Sequence, residues 1–186
     1  MRFFLLLLPL CLSLVACNND DDDTMTPGPN AIAVPSPLKA TDEVAFVNRI
    51  SQDLYDNPVN VAQENQNALV NLAIDSLWDV QRTDSGLYYQ VIEQGTGDNI
   101  GYGRSYPTLY HGTLVDGTVF DSAYNRGQPF NLNLSGVIQG WQEGLPYIKP
   151  GGKLLLLIPS ALGYGANGQG SIPPNAPLVF ILEVVE

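Results

Sequence analysis

Aromatic rings and hydroxyl groups, rather than nucleophiles or metal ligands, are the chemically useful side chains of this sequence. It contains one histidine, His111, for which the sequence shows no partner, and two cysteines, Cys11 and Cys17. Because we expect Cys11 to be removed with a signal peptide and Cys17 to carry lipid, thiol catalysis and cysteine-based metal sites are excluded. The glycine-rich stretch 163–170 lacks the Gly-Lys-Ser/Thr signature of a phosphate loop. The sequence therefore favours chemistry that works through shape and binding, with no cofactor and no metal.

Residues 83–186 predict an α+β fold. After a turn at residues 83–86, hydrophobic alternation over 87–91 predicts a first strand. Glycine and proline turns separate the later strands, Pro107 predicts an irregular strand edge, and the bulky stretch 137–145 predicts the one short helix. Many strands with one helix indicate a curved antiparallel β-sheet wrapped on one short α-helix. The later strands are predicted over 109–115, 118–121, 130–134, 153–159 and 178–185.

Residues 41–82 predict a helical extension made of two helices. Thr41 is the expected N-cap of the first, since Asp42 and Glu43 would then lie in its first turn, where negative charge suits the helix dipole. After a break at residues 57–58, a second helix is expected over 61–78. The pair either packs on its own domain or forms an arm for dimerisation or chaperone work; short helices without sustained heptads favour packing. The expected apolar face of the first helix consists of Val44, Val47, Ile50 and Leu54.

Several sequence blocks in residues 83–186 occur in an order that is characteristic of one family. They are DGTVFDS at 116–122, VIQGWQEGL at 137–145, GYG at 163–165, IPPN at 172–175 and LVF at 178–180. One such block would be weak, but together, and with residues 84–99, they resemble the FKBP-type peptidyl-prolyl cis-trans isomerases. The resemblance implies an FKBP-like fold for residues 83–186 and isomerase activity on Xaa-Pro bonds.

The resemblance also implies which residues form a prolyl-binding pocket. Trp141 matches its floor, Tyr164 matches the hydroxyl that binds a substrate carbonyl, and the Ile138 backbone N–H matches a second donor. Asp121 matches a carboxylate beside the pocket, and Arg126 matches its cationic partner. The expected catalytic residues are thus Tyr110, Asp121 and Tyr164. The remaining substrate-binding residues are the walls, lip and covering loop: Phe120, Phe130, Phe180, Val137, Ile138 and Ile172.

Conformational catalysis of this kind needs no reactive side chain. Rotation about an amide bond faces a barrier of about 18–20 kcal/mol, because resonance gives the C–N bond double-bond character. Xaa-Pro bonds populate both isomers and interconvert over tens of seconds or longer. A site accelerates this exchange when it binds the twisted amide better than either planar form. Because a twisted amide has a less polar carbonyl, an apolar aromatic pocket with few hydrogen-bond donors fits the task.

Three functions remain open at this level. The first is a prolyl isomerase that assists the folding of exported proteins and binds proline-containing polypeptides. The second is a non-catalytic peptide-binding or chaperone module on the same fold. The third is a surface interaction protein in which residues 41–80 bind a partner, so that their deletion leaves isomerase activity intact. The filled pocket positions favour the enzyme, and the resemblance implies binding of macrolide inhibitors of the tacrolimus and rapamycin type.

The first seventeen residues predict a lipoprotein signal. The apolar run 3–14 is shorter than the roughly 20 residues that span a bilayer, but it suits a secretory signal. The order Leu14-Val15-Ala16-Cys17 resembles the bacterial lipobox, which implies removal of residues 1–16 and lipid on Cys17. An ordinary signal peptide is the alternative, and the acidic stretch after Cys17 disfavours it. We therefore expect an outer-membrane lipoprotein that faces the periplasm or the cell surface.

Residues 17–40 predict an acidic, proline-rich tether. Like charges at 20–23 repel one another, and the prolines that follow stiffen the chain. An acidic stretch in this place resembles the surface-export signal of Bacteroidota lipoproteins, and a plain spacer is the alternative. The net charge of the whole sequence is −11. A nucleic-acid partner is not expected, because phosphate binding needs a basic surface.

Overall fold

A computed structural model describes residues 28–186 as an antiparallel sheet with helices packed on it. The predicted signal peptide (1–16), Cys17 and residues 18–27 lie outside this range, and what we expect of them stays a prediction. The strands are β1 (Gln81–Arg82), β2 (Tyr88–Glu93), β3 (Ser105–Leu114), β4 (Val119–Ser122), β5 (Phe130–Asn133), β6 (Lys153–Ile158) and β7 (Leu178–Val184). The helices are α1 (Glu43–Ile50), α2 (Val61–Ser76), α3 (Ala123–Arg126) and α4 (Gln139–Gly144).

The sheet is organised around the long strand β3. The strand order is β1-β2-β6-β7-β3-β4, and every pairing is antiparallel. Along its other edge β3 pairs with β5 through residues 105–108 and with β4 through residues 111–113. The α+β fold with a curved antiparallel sheet is therefore confirmed.

Strand β6 is buried on both faces of the sheet. Leu154, Leu156 and Ile158 belong to a core that also contains Trp141 of α4 and Leu145 just after it. Leu155 and Leu157 belong to a second core, formed with α1 and α2. Two-sided burial explains why residues 154–158 are apolar without the alternation of a half-exposed strand.

The two N-terminal helices pack on the domain rather than projecting from it. Their buried residues, among them Phe46, Ile50 and Leu69, share the second core with Tyr88 and Val179 of the sheet. The packed-pair interpretation is therefore the one that the structure supports.

Two details of the helix prediction were wrong. The N-cap of α1 is Asp42, whose carboxylate accepts from the Ala45 N–H at 2.9 Å, and not Thr41. Of the predicted apolar face, Ile50 is buried and Val47 and Leu54 pack against the second core, but Val44 is 71% exposed and the buried Phe46 was not predicted. Asp ranks above Thr as an N-cap, and the observed cap follows that preference.

Residues 28–40, which we call the N-terminal strap, lie on the domain although we predicted them as part of a tether. Near one end, the Ile32 N–H donates to the Tyr124 carbonyl at 2.9 Å. Near the other, Gln90 binds both backbone groups of Leu38, at 2.7 and 2.9 Å. Between them, Val34 packs against the first core. Long-range backbone bonds of this kind leave no periodic pattern in a sequence.

The predicted strands are present, with ends that differ by a few residues. The largest difference is at β3, which begins at Ser105 and runs through Pro107, where we predicted an irregular edge. Proline has no N–H to donate to a neighbouring strand. The Pro107 carbonyl still accepts from the Val185 N–H, and its neighbour on the other side is the short strand β5. The structure adds the two-residue strand β1 and the helical turn α3, so the prediction of one short helix was incomplete.

The contact between the strap and α3 can be tested at Gly127, which ends α3 with a φ of +65°. A Cβ at this position would lie 2.0 Å from the Asn30 carbonyl oxygen. We expect Gly127→Ala to lift the strap and to accelerate amide hydrogen exchange at Ile32.

The matched control is Gly86→Ala. Gly86 has a φ of +89°, and an added Cβ meets nothing within 4 Å. This variant carries only the cost of left-handed backbone, about 1–2 kcal/mol. Equal exchange of residues 28–40 in the two variants, followed by mass spectrometry, would contradict the described contact.

Candidate functional site

A cavity of about 460 Å³ opens between α4, β3, β7 and the long loop that joins β6 to β7. Ten of the eleven residues predicted for the site line it, and Arg126 contacts two of the ten. The structure thus brings these residues together, while the roles assigned to them stay predictions. The ten are Tyr110, Phe120, Asp121, Phe130, Val137, Ile138, Trp141, Tyr164, Ile172 and Phe180.

The floor of the cavity consists of rings that meet edge to face. Trp141 and Phe180 have centroids 5.0 Å apart at 87°, and Tyr110 lies 5.4 Å from Trp141 at 67°. Phe120 meets Phe180 in the same way, at 5.4 Å and 81°. Edge-to-face pairs are the preferred aromatic geometry, and each contributes about 0.5–1.5 kcal/mol beyond area burial. The floor is therefore a rigid apolar surface. Phe130, which also lines the cavity, is not part of this buried floor, since it is 44% exposed.

Glycines make this close packing of rings possible. A Cβ on Gly112 of β3 would lie 2.7 Å from ring atoms of both Phe120 and Phe180. A Cβ on Gly140 of α4 would lie 2.7 Å from the Ile158 side chain. Neither glycine could be predicted for this role, because a glycine inside a strand or helix does not show what packs over it.

Three polar side chains form a connected group at the rim. The Tyr110 hydroxyl donates to the Asp121 carboxylate at 2.5 Å and accepts from the Arg126 guanidinium at 2.9 Å. Arg126 also forms an ion pair with Asp121, and its guanidinium lies 5.5 Å from the Tyr110 ring centroid. Each side chain of the pair is about half exposed, so the pair alone contributes little to stability. Its effect is to hold the Tyr110 hydroxyl in one orientation.

The pKa of both tyrosines of the site is raised above the ordinary value of about 10, at which a tyrosine is already protonated at neutral pH. Burial raises the pKa of Tyr110, and the hydrogen bond to Asp121 raises that pKa further. Burial also raises the pKa of Tyr164, with an added contribution from the negative charge of Asp121. At neutral pH both hydroxyls are therefore hydrogen-bond donors.

Three donors in this region have no acceptor within residues 28–186. They are the Tyr164 hydroxyl, the Ile138 backbone N–H and the buried Trp141 Nε1–H. Ile138 precedes α4, and its carbonyl is used by the Trp141 N–H at 3.0 Å. Buried unpaired donors are uncommon in folded proteins, and Trp141 Nε1–H is such a group, whereas Tyr164 and Ile138 are only partly buried. Two of the three belong to the residues predicted to bind substrate carbonyls.

Several residues of the site were not predicted. The covering loop contributes Gln169, Gly170 and Ser171, and Gly136 lies beside the lip. The blocks at 163–165 and 172–175 predicted the covering loop, but they did not indicate that residues 169–171 between them line the cavity. His111, to which we assigned no role, lies 3.0 Å from the Ser122 hydroxyl through Nδ1, and burial lowers its pKa. Across residues 28–186 no cluster of three or more His, Cys, Asp or Glu could hold a metal ion.

Comparison with known proteins agrees with this geometry. The sequence model of the family described as FKBP-type peptidyl-prolyl cis-trans isomerase matches residues 103–185. FkpA of Buchnera aphidicola subsp. Schizaphis graminum is 40% identical over 165 residues, which cover 83% of this chain and 65% of that protein.

Two solved structures resemble the chain. The crystal structure of Escherichia coli FkpA has a TM-score of 0.62 and 39% identity, and the match covers 75% of this chain and 62% of that one. The crystal structure of a peptidyl-prolyl cis-trans isomerase from Pseudomonas syringae pv. tomato has a TM-score of 0.59 and 30% identity, with 71% of this chain and 97% of that one covered.

The chain has a sheet wrapped on a short helix with an aromatic cavity between them, and these are the features of FKBP-like domains. The chain belongs to the FKBP-type peptidyl-prolyl cis-trans isomerase family. It covers 65% of the length of the Buchnera FkpA and 40% of the length of Escherichia coli FkpA.

The protonation of Tyr110 gives a prediction for alkaline pH. Its pKa in the folded protein is raised above the unfolded value of about 10. The stability that this shift contributes is therefore present below pH 10 and is lost as the pH rises through the folded pKa. We expect the free energy of unfolding to fall less steeply above pH 10 in Tyr110→Phe than in the parent.

Urea unfolding at intervals from pH 8 to pH 11 measures this difference. Burial also raises the pKa of Tyr88 and Tyr124, whose hydroxyls bind Asp53 and Glu183. Both proteins keep these two groups, so they contribute equally to both curves. Parallel curves across the whole range would contradict the buried environment of Tyr110.

Proposed function

We propose that this protein is a peptidyl-prolyl cis-trans isomerase that acts on Xaa-Pro bonds of polypeptides. One observation carries the proposal: Tyr164 and Ile138, whose hydroxyl and backbone N–H have no acceptor within residues 28–186, both line a cavity that Trp141 also lines. Family membership supports the same activity.

The cavity suits a prolyl ring because it is apolar and rigid. Burial of the ring against Trp141 and Phe180 contributes about 25 cal/mol per Å² of apolar surface removed from water. The Tyr164 hydroxyl and the Ile138 N–H then bind carbonyl groups of the flanking backbone, which fixes one side of the amide bond that rotates. Fixing the backbone while the amide sits among aromatic rings favours the twisted form, whose carbonyl is less polar than that of the planar amide.

The connected group at the rim, formed by Tyr110, Asp121 and Arg126, would orient the substrate without proton transfer. Arg126 and Asp121 hold the Tyr110 hydroxyl against the aromatic floor. Because the reaction breaks no covalent bond, these groups need only keep their positions while the amide rotates. Macrolides of the tacrolimus and rapamycin type, which the family resemblance implies as ligands, are expected to compete for the same cavity.

Tyr164→Phe tests the proposed role of the hydroxyl. A neutral hydrogen bond contributes about 0.5–1.5 kcal/mol, so we expect kcat/KM on an Xaa-Pro peptide to fall roughly 2- to 12-fold. The measurement is a protease-coupled isomerisation assay. Tyr55→Phe removes the same atom from a tyrosine that is 41% exposed in the extension, and it should leave kcat/KM unchanged.

The same assay on the unsubstituted protein distinguishes the proposed isomerase from a non-catalytic peptide-binding module. If the unsubstituted protein does not accelerate isomerisation over buffer, the proposed activity is wrong. If in that case it still binds the peptide and the macrolide competes, the protein is a non-catalytic peptide-binding module on the same fold.

We also propose that lipid on Cys17 anchors the protein to the outer membrane, with the domain facing the periplasm or the cell surface. The apolar run 3–14 and the order Leu14-Val15-Ala16-Cys17 support this proposal. Three acyl chains would make the anchor permanent, at about 0.8 kcal/mol per buried CH₂. Within residues 28–186, no helix combines the length and the apolar character needed to cross a membrane.

Growth in labelled fatty acid tests the anchor. Cys17→Ser should lose the label and leave the membrane fraction, whereas Cys11→Ser, the other cysteine in the sequence, should keep both. A label that persists in Cys17→Ser would overturn this assignment and leave the proposed activity unaffected.

A further inference from the structure

A polar residue, Asn65, lies in the otherwise apolar interface between α2 and the rest of the domain. It is 6% exposed, and the other buried residues of α2, Leu69, Val70 and Ala73, are all apolar. Asparagine lowers helix propensity and its amide is costly to bury unless it is paired. Hydrophobic packing alone therefore does not explain an asparagine at this position.

The Asn65 amide binds the loop between β6 and β7 at both of its ends. We call residues 159–177 the pocket loop, since Tyr164 and Ile172 belong to it. The Ser160 N–H donates to Asn65 Oδ1 at 2.7 Å, and Asn65 Nδ2 donates to the Asn175 carbonyl at 3.1 Å. Only this orientation of the amide matches a donor with an acceptor at each contact, so both polar groups of Asn65 are used.

The contact continues from Asn175 into the cavity wall. Asn175 has a φ of +59°, and its N–H donates to the Gly165 carbonyl at 2.9 Å. Gly165 directly follows Tyr164. A short chain of hydrogen bonds therefore runs from α2 through Asn65 and Asn175 to Gly165, the residue that follows Tyr164 in the chain.

We propose that Asn65 is a positioning residue for the pocket loop, and that the N-terminal helices set the geometry of the cavity through it. The inference rests on the proposed function, since its consequence is measured on isomerisation. Asn65 touches no substrate; it holds the two ends of the loop at a fixed distance, and thereby holds Tyr164 over the aromatic floor. A merely structural Asn65 would instead affect stability alone.

Asn65→Leu removes both hydrogen bonds and keeps the number and branching of the side-chain heavy atoms. It leaves the Ser160 N–H and the Asn175 carbonyl without their partner. We expect kcat/KM on an Xaa-Pro peptide to fall about 10-fold, mainly through KM, and amide exchange at residues 163–165 to accelerate. Exchange in β6 should stay unchanged at a temperature where the variant is fully folded.

Val70→Ala is the matched control. Val70 is fully buried on the same helix and belongs to the second core, which contains no residue of the pocket loop. It should lower the unfolding temperature while leaving KM and the exchange of residues 163–165 as in the parent. If Val70→Ala raises KM as much as Asn65→Leu does, loss of helix packing explains the effect and the positioning role is wrong.

Asn65→Asp gives a readout that a structural role would not produce. A protonated carboxyl has one donor and one acceptor, and it can repeat both contacts; a carboxylate would face the Asn175 carbonyl with a second acceptor. Burial raises the pKa of such a carboxyl. We therefore expect kcat/KM of this variant, relative to the parent at the same pH, to recover as the pH is lowered.

The failure of this inference is distinguishable from failure of the proposed function. An inactive parent would refute the activity, and loop exchange would still report on Asn65. An active parent together with unchanged KM and loop exchange in Asn65→Leu would overturn the positioning role alone. A pH-independent ratio for Asn65→Asp would overturn it as well.

Discussion

The close approach of α4 to β6 is the packing constraint on which the cavity depends. A Cβ on Gly144 would lie 2.5 Å from the Leu156 side chain, and one on Gly140 would lie 2.7 Å from Ile158. Only glycine allows the helix to rest this low on the sheet. Trp141, between them on α4, is thereby placed against Tyr110 and Phe180, and the floor of the cavity follows from that contact. A larger residue at either glycine would raise the tryptophan and open the floor.

The same strand makes the N-terminal helices part of the domain. Because Leu155 and Leu157 point to the face opposite α4, that face must be covered, and α1 and α2 cover it. Deleting residues 41–80 would therefore expose an apolar sheet face. A loss of activity after such a deletion would reflect damage to the domain as well as loss of the helices. Point substitutions at the interface avoid this difficulty, since they leave the sheet covered.

Local patterns and ordered blocks predicted most of what the structure contains. The uninterrupted apolar run of β6 indicated a buried strand, and the blocks around Asp121, Trp141 and Tyr164 indicated residues that the fold brings to one cavity. What could not be predicted depends on contacts between residues far apart in the chain. Asn65 meets Ser160 and Asn175 across 95 and 110 positions, and the strap meets β2 across 52. Such contacts satisfy backbone groups one at a time, so they leave no periodicity to detect.

Restraint of the pocket loop explains how unpaired donors can serve a conformational reaction. Loops are usually the mobile part of a domain, and a mobile hydroxyl would lose entropy on binding and weaken the selection between amide forms. Here the loop is fixed at Ser160 and Asn175 by Asn65, and internally by the pairing of Gln169 with Ile172. The opposite rim is fixed by Arg126 and Asp121, whose bonds hold Tyr110. For the proposed isomerisation, a site held on both sides would leave the free energy of binding available to favour the twisted amide instead of ordering the site.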